Sequence, residues 1–98
     1  EYEFDDIRLI PSSREIMVAG KDVSLTKTEY AILKLLCLNP NRLMTRSLIL
    51  DRISSETQDC TESSLNVHIC NIRKKLKELS GKYYIENVWG IGYKLIIS

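Results

Sequence analysis

Between Glu62 and Leu79 the apolar residues Leu65, Ile69, Ile72, Leu76 and Leu79 recur at helical spacing. At about 100° per residue they fall within an arc of roughly 80°, which predicts a helix of about five turns with one narrow buried stripe. Such a stripe demands a covering layer from the rest of the chain. The opposite face carries Ser63, Val67, Cys70, Asn71, Lys74 and Lys77. Asn66 and Arg73 lie on one flank, His68 and Lys75 on the other. This face is small and hydrogen-bonding at its N-terminal end and cationic further on.

The covering layer is found upstream. Thr26-Lys27-Thr28-Glu29 is a capping box, in which threonine and glutamate satisfy each other's free backbone donors. The run Tyr30, Ile32, Leu33, Leu35, Leu36 and Cys37 follows and stops at Asn39-Pro40-Asn41, predicting a largely buried helix. A second helix is expected from Thr45 as N-cap, with Leu48, Ile49, Leu50 and Ile53 as its apolar positions. Residues 54–61 show no periodicity and read as a loop, and Ser80-Gly81 ends the third helix.

The flanks of this three-helix segment, residues 26–79, read as strands. Ile7–Ile10, Glu15–Val18 and Val23–Leu25 are separated by turn-forming residues, so residues 1–25 suit an antiparallel meander. Tyr83-Tyr84-Ile85 and Tyr93–Ile97 flank a turn around Trp89-Gly90-Ile91-Gly92, a hairpin over residues 83–97. Tyr83, Tyr84 and Tyr93 are expected as cross-strand packing within it, and Trp89 as an aromatic cap on the core. The fold class is therefore α+β, one domain over residues 1–98, with an N-terminal antiparallel β-sheet, three helices and a C-terminal β-hairpin.

Composition excludes more than it proves. Ninety-eight residues with 44% hydrophobic content supply one modest core. No apolar run reaches 18 residues, and four acids among the first six residues are unlike a secretory signal. The chain begins with Glu1 rather than Met, as a fragment of something longer would. Cys37, Cys60 and Cys70 are odd in number and form no CxxC pair, which argues against a disulfide framework or zinc and suits a reducing cytoplasm. With His68 the single histidine, no catalytic or metal constellation is visible, and no cofactor is implied.

The net charge of +1 hides a gradient. Residues 1–59 hold eight basic against ten acidic side chains, whereas residues 60–98 hold six against three. A polyanion would meet the C-terminal half. A helix entering a DNA major groove needs short side chains near base edges and long cations near phosphates, the order seen on the third helix. On that helix alone, a groove-binding face and an ordinary solvated face stand level. Two short helices before it and an aromatic-glycine hairpin after it tip the balance, because that order is the order of a winged helix-turn-helix.

Three motifs sharpen this. Leu25-Thr26-x-x-Glu29-Tyr30-x-x-Leu33-x-x-Leu36, Leu65-Asn66-Val67-His68-Ile69-Cys70-Asn71-Ile72-Arg73-Lys74-Lys75-Leu76 and Val88-Trp89-Gly90-Ile91-Gly92-Tyr93-Lys94-Leu95 stand in sequence. They resemble the first helix, recognition helix and wing of OmpR/PhoB-type response-regulator effector domains, over essentially the whole chain. The resemblance implies transcription regulation by sequence-specific binding of promoter duplex DNA, as homodimers on direct repeats, with the phosphoryl switch of a two-component phosphorelay in a separate domain. It implies phosphate contacts by His68, Arg73 and Lys74 and a wing contact by Gly90, Gly92 and Lys94; Ser63, Ser64, Lys75 and Lys77 on the same helix are further phosphate candidates, and Trp89 a further wing candidate. It also implies an internal pairing for Arg73, with a glutamate for example. Glu56 and Asp59 fall in the loop with which the family touches RNA polymerase. Asn66, Val67, Cys70 and Asn71 are the base-reading candidates.

The departures carry information too. Cys70 and Asn71 stand where many members carry consecutive arginines, Ser63 or Ser64 stands where several carry one, and Asn66 replaces the common aspartate. Asn71 favours adenine as arginine favours guanine, so the expected site leans toward A·T. About five neutralised phosphates would give log K against log[salt] a slope near −4.5. Two rivals stay open at this stage: a winged-helix module whose third helix docks on protein, and the DNA-binding domain of a membrane-linked one-component regulator.

Overall fold

A computed structural model describes residues 2–97. Glu1, where the meander was expected to begin, and Ser98 lie outside the described residues. Strands β1 (Tyr2–Phe4), β2 (Ile7–Ile10), β3 (Glu15–Val18) and β4 (Lys21–Asp22) form a four-stranded antiparallel sheet in that order. Helices α1 (Lys27–Cys37), α2 (Arg46–Ile53) and α3 (Glu62–Ser80) follow, with β5 (Met44–Thr45) just before α2. The last strands, β6 (Ile85–Val88) and β7 (Gly92–Leu95), join β5 in a second sheet of order β5-β7-β6.

The sheet alternates as its sequence does. Ile7 pairs with Val18 and Leu9 with Ile16, and these four side chains are buried together. They meet Ala31, Leu33 and Leu36 of α1, Ile49 and Ile53 of α2, and Leu65, Ile69, Ile72 and Leu76 of α3 in one core. Four members of the α3 stripe are fully buried and the fifth, Leu79, is half-buried at its edge. At roughly 25 cal/mol per Å² of apolar surface, each fully buried leucine or isoleucine contributes about 1.5–3 kcal/mol.

The helix ends follow the expected chemistry. Thr26 Oγ1 accepts from Glu29 N at 3.1 Å, and Glu29 Oε1 accepts from Thr26 N at 3.1 Å. Thr45 caps α2, its hydroxyl accepting from Leu48 N. A second box starts α3, where Thr61 accepts from Ser64 N and Ser64 Oγ accepts from Thr61 N. Gly81 closes α3 in the left-handed region at φ 75°, where an L side chain is disfavoured.

Several expectations are corrected. β1 was not anticipated, because its acidic, barely alternating residues carry no strand period; it forms by pairing Tyr2 with Leu9 and Phe4 with Ile7. The strand expected over Val23–Leu25 is instead β4 at Lys21–Asp22, since the chain must leave the sheet to place Thr26 as a cap. β5 spans two residues, too short for any period, and exists because Met44 pairs with Tyr93. Tyr83 and Tyr84 precede β6, and Ile96 and Ile97 follow β7. Tyr84 is buried while its hydroxyl reaches Asp6. Tyr83 stands exposed with the Lys77 ammonium 4.6 Å from its ring centre, not within the hairpin. None of the described helices is long and apolar enough to cross a membrane.

Candidate nucleic-acid interface

The solvent face of α3 is set by its buried stripe: whatever lies opposite Leu65, Ile69, Ile72 and Leu76 must point outward. Ser63, Asn66, Val67, Cys70, Asn71, Lys74 and Lys77 are all exposed. Val67 keeps 57% of its surface open, a large fraction for an apolar residue in mid-helix. His68 is half-buried on the flank. Ser63 Oγ lies 3.0 Å from Thr61 Oγ1 at the rim of the first turn.

The hairpin is held against this helix at a fixed height. Tyr93, itself buried, donates its hydroxyl to Asn66 Oδ1 at 3.2 Å. Gly92 pairs with Thr45, and a Cβ there would overlap the Met44 carbonyl oxygen and lie 2.8 Å from Thr45 Cα. Glycine is therefore required by the closeness of β5 and β7. Gly90 adopts φ 70° at the tip, a conformation glycine takes without strain. Lys94 pairs in register with Glu86 on the outer part of the hairpin.

Trp89 does not cap the core. It is 90% exposed at the tip, beside Ile91 at 49%, because the turn ends the β6–β7 pairing before the ring could fold back. With Arg46, Glu62, Ser63, Asn66, Asn87 and Gly90 it lines a cleft of about 390 Å³ between α3 and the hairpin.

Not all cations of α3 are free. Lys75 is drawn inward to Glu29 at 2.5 Å. Arg73 Nε donates to the Ile85 carbonyl at 3.1 Å, so its internal partner is a β6 backbone oxygen rather than a glutamate. Lys77 folds back to the Gly81 carbonyl at 2.9 Å, where a cation complements the helix C-terminus. Ser64 is engaged in the α3 cap. Lys74 has no hydrogen bond or ion pair among the described residues, and it extends into solvent.

Residues 20–95 match the family described as transcriptional regulatory protein, C terminal. The chain belongs to that family. The transcriptional regulatory protein QseB of Haemophilus influenzae is 37% identical over 89 residues, which make up 91% of this chain and 38% of QseB. The chain thus spans about two fifths of the relatives it matches. The response regulator AdeR DNA-binding domain, solved in complex with an intercistronic region, superposes with TM-score 0.85 at 26% identity, covering 98% of both chains. DrrB of Thermotoga maritima, an OmpR/PhoB homologue, superposes with TM-score 0.78 at 27% identity over 97% of this chain and 43% of DrrB. This chain is an OmpR/PhoB-type winged helix-turn-helix effector domain, with β6–β7 as its wing.

Two features of this effector domain escaped the sequence. The loop over residues 54–61 is anchored, not freely solvated: Glu56 accepts from Lys34 at 2.7 Å with Arg14 at 3.8 Å, and the buried Thr57 hydroxyl lies 2.8 Å from that of Thr28. Asp59 remains exposed. Arg46, at the start of α2, was not a candidate at all, yet it lines the cleft, and its buried Nε has no hydrogen-bond partner among the described residues. An unmet buried donor costs about 1–3 kcal/mol. A lone arginine in a helix gives no sequence signal that its partner is missing.

The cysteines divide by depth. Burial pushes the Cys37 thiol up to about 12 and raises Cys60 as well, while Cys70 stands on the exposed face of α3. No group of three or more His, Cys, Asp or Glu among the described residues is placed to hold a metal ion.

Proposed function

We propose that this domain binds promoter duplex DNA in a sequence-dependent way and regulates transcription as the effector part of a two-component response regulator, bound as homodimers on direct repeats. The observation that carries the reading is the free outer face of α3. Val67, Cys70, Asn71 and Lys74 form an exposed row along α3, uncovered by any element among the described residues. Asn66, Val67, Cys70 and Asn71 are short enough to approach base edges. Asn71 offers adenine a donor and an acceptor, and Val67 suits a thymine methyl. Lys74, His68 and Lys94 serve the phosphates; Lys75 and Arg73 are withdrawn to Glu29 and Ile85. With Glu56 already ion-paired, Asp59 and the exposed loop around it are the surface offered to RNA polymerase.

Exposed Val67, Trp89 and Ile91 also fit the rival in which this face docks on protein. Selection from a random duplex pool separates the two. The DNA reading expects an enriched A·T-leaning half-site, and Asn71→Ala to relax the preference at one position at a cost of about 1–3 kcal/mol. No enrichment, with no duplex binding even in low salt, favours the protein-docking reading.

A further inference from the structure

Away from the outer face of α3, a cleft of about 410 Å³ opens between the β2–β3 turn, α1 and the loop over residues 54–61. Arg14, Lys27 and Lys34 line it together with Tyr30 and Pro11. The Arg14 guanidinium and the Lys34 ammonium lie 5.3 Å and 5.6 Å from the centre of the Tyr30 ring. One internal carboxylate is seated there: Glu56 lies 2.7 Å from Lys34 Nζ and 3.8 Å from Arg14. Lys27 is exposed and forms no ion pair among the described residues. Three cations thus face a single carboxylate.

Two of these cations stand against local preference. Arg14 holds φ 56°, in a turn where its amide donates to the Pro11 carbonyl at 3.2 Å. Glycine adopts that left-handed conformation without strain, and a residue with a Cβ does not. Lys27 opens α1, where the helix dipole favours an acid over a cation. Both exceptions bring positive charge to one cleft, and departures from local preference concentrate at functional sites.

We propose that this cleft docks an acidic polypeptide segment of a partner protein, whose carboxylates pair with Arg14 and Lys27. Glu56 displays the chemistry that the cleft accepts, a carboxylate between an ammonium and a guanidinium, and the incoming segment competes with it for Lys34. Nucleic-acid backbones are followed by grooves with cations along their length. These cations instead gather in one cleft around a carboxylate. The cleft shares no residue with the exposed row of Val67, Cys70, Asn71 and Lys74, so a partner held here leaves that row open.

The test is a titration of the intact domain with an oligoglutamate peptide, followed by amide NMR shifts, with oligoglutamine and inorganic phosphate as controls. Saturable binding is expected, with shifts centred on Arg14, Lys27, Lys34 and the loop over residues 54–61, and no response to either control. Arg14→Gly and Lys27→Glu should each weaken the peptide about two- to fivefold. Their melting temperatures should stay at or above wild type, because each substitution relieves a local conflict. Glu56→Gln should tighten the peptide by removing its internal competitor. A purely structural role predicts the reverse, lower melting temperatures with unchanged peptide affinity. Absence of binding, shifts on the outer face of α3 alone, an equal response to phosphate, or wild-type affinity in both cation variants overturns the proposal. None of these outcomes bears on duplex binding, which is read separately. Lys27→Glu removes no ion pair, so the test survives a failure of Arg14→Gly to fold.

Discussion

Lys75 Nζ on α3 lies 2.5 Å from Glu29 Oε1, the carboxylate oxygen that also closes the capping box of α1. Glu29 is 3% exposed, whereas Lys75 keeps a third of its side chain in solvent. One contact thus fixes the start of the first helix to the middle of the third. It also removes a cation from the face that the sequence offered to DNA.

Breaking that pair tests the division of labour among the α3 cations. Removing one partner of a fully buried pair costs roughly 3–5 kcal/mol, and the solvent exposure of Lys75 reduces this to about 1–2 kcal/mol. For a domain of this size each kcal/mol lowers the melting temperature by roughly 4–8 °C. Lys75→Gln should therefore melt several degrees below wild type yet keep its salt slope on duplex DNA. Lys74→Gln should show the opposite pattern, with unchanged melting and a slope shallower by about 0.9.

The wing depends on one missing Cβ. Gly92→Ala forces a methyl into the Met44 carbonyl, so β5 and β7 must part. The expected result is a loss of duplex affinity of tenfold or more with the three-helix core still folded, read by circular dichroism beside a binding titration. Retained wild-type affinity would show that the wing need not sit where Gly92 holds it.

The three thiols give a graded readout. Cys70 should react first with a thiol reagent at neutral pH, Cys60 more slowly, and Cys37 only on unfolding. Bound duplex should protect Cys70 selectively if the outer face of α3 enters the groove. Cys37 adds a pH effect of known sign. Its folded thiol titrates near 12, whereas an unfolded thiol ionises near 8.5. Its stabilising contribution is fully present below about 8.5 and falls as pH rises toward 12. Cys37→Ala should flatten that alkaline loss in equilibrium unfolding experiments, at some cost in overall stability.

Much of this architecture could be read from residues that announce themselves locally. Thr26 with Glu29, Thr45, Thr61 and Gly81 mark helix ends through chemistry confined to one turn, and the α3 stripe marks its own buried side. Family membership followed from three motifs in order. What could not be read depends on partners distant along the chain. β5 is two residues made a strand by Tyr93 and Gly92. Lys75 and Lys74 look alike in sequence, and only the fold places Glu29 beside one of them. Trp89 reads as a core residue until the turn is seen to end the ladder before it. Arg46 becomes notable only when its surroundings prove to lack a partner.

The most direct test of the central claim is anisotropy titration of this domain with its enriched duplex across a series of salt concentrations. With Lys74, His68 and Lys94 as about three phosphate contacts, log K is expected to fall with log[salt] at a slope of about −2.7. A slope near zero, or equal affinity for scrambled duplex at every salt concentration, would contradict groove binding by the exposed face of α3.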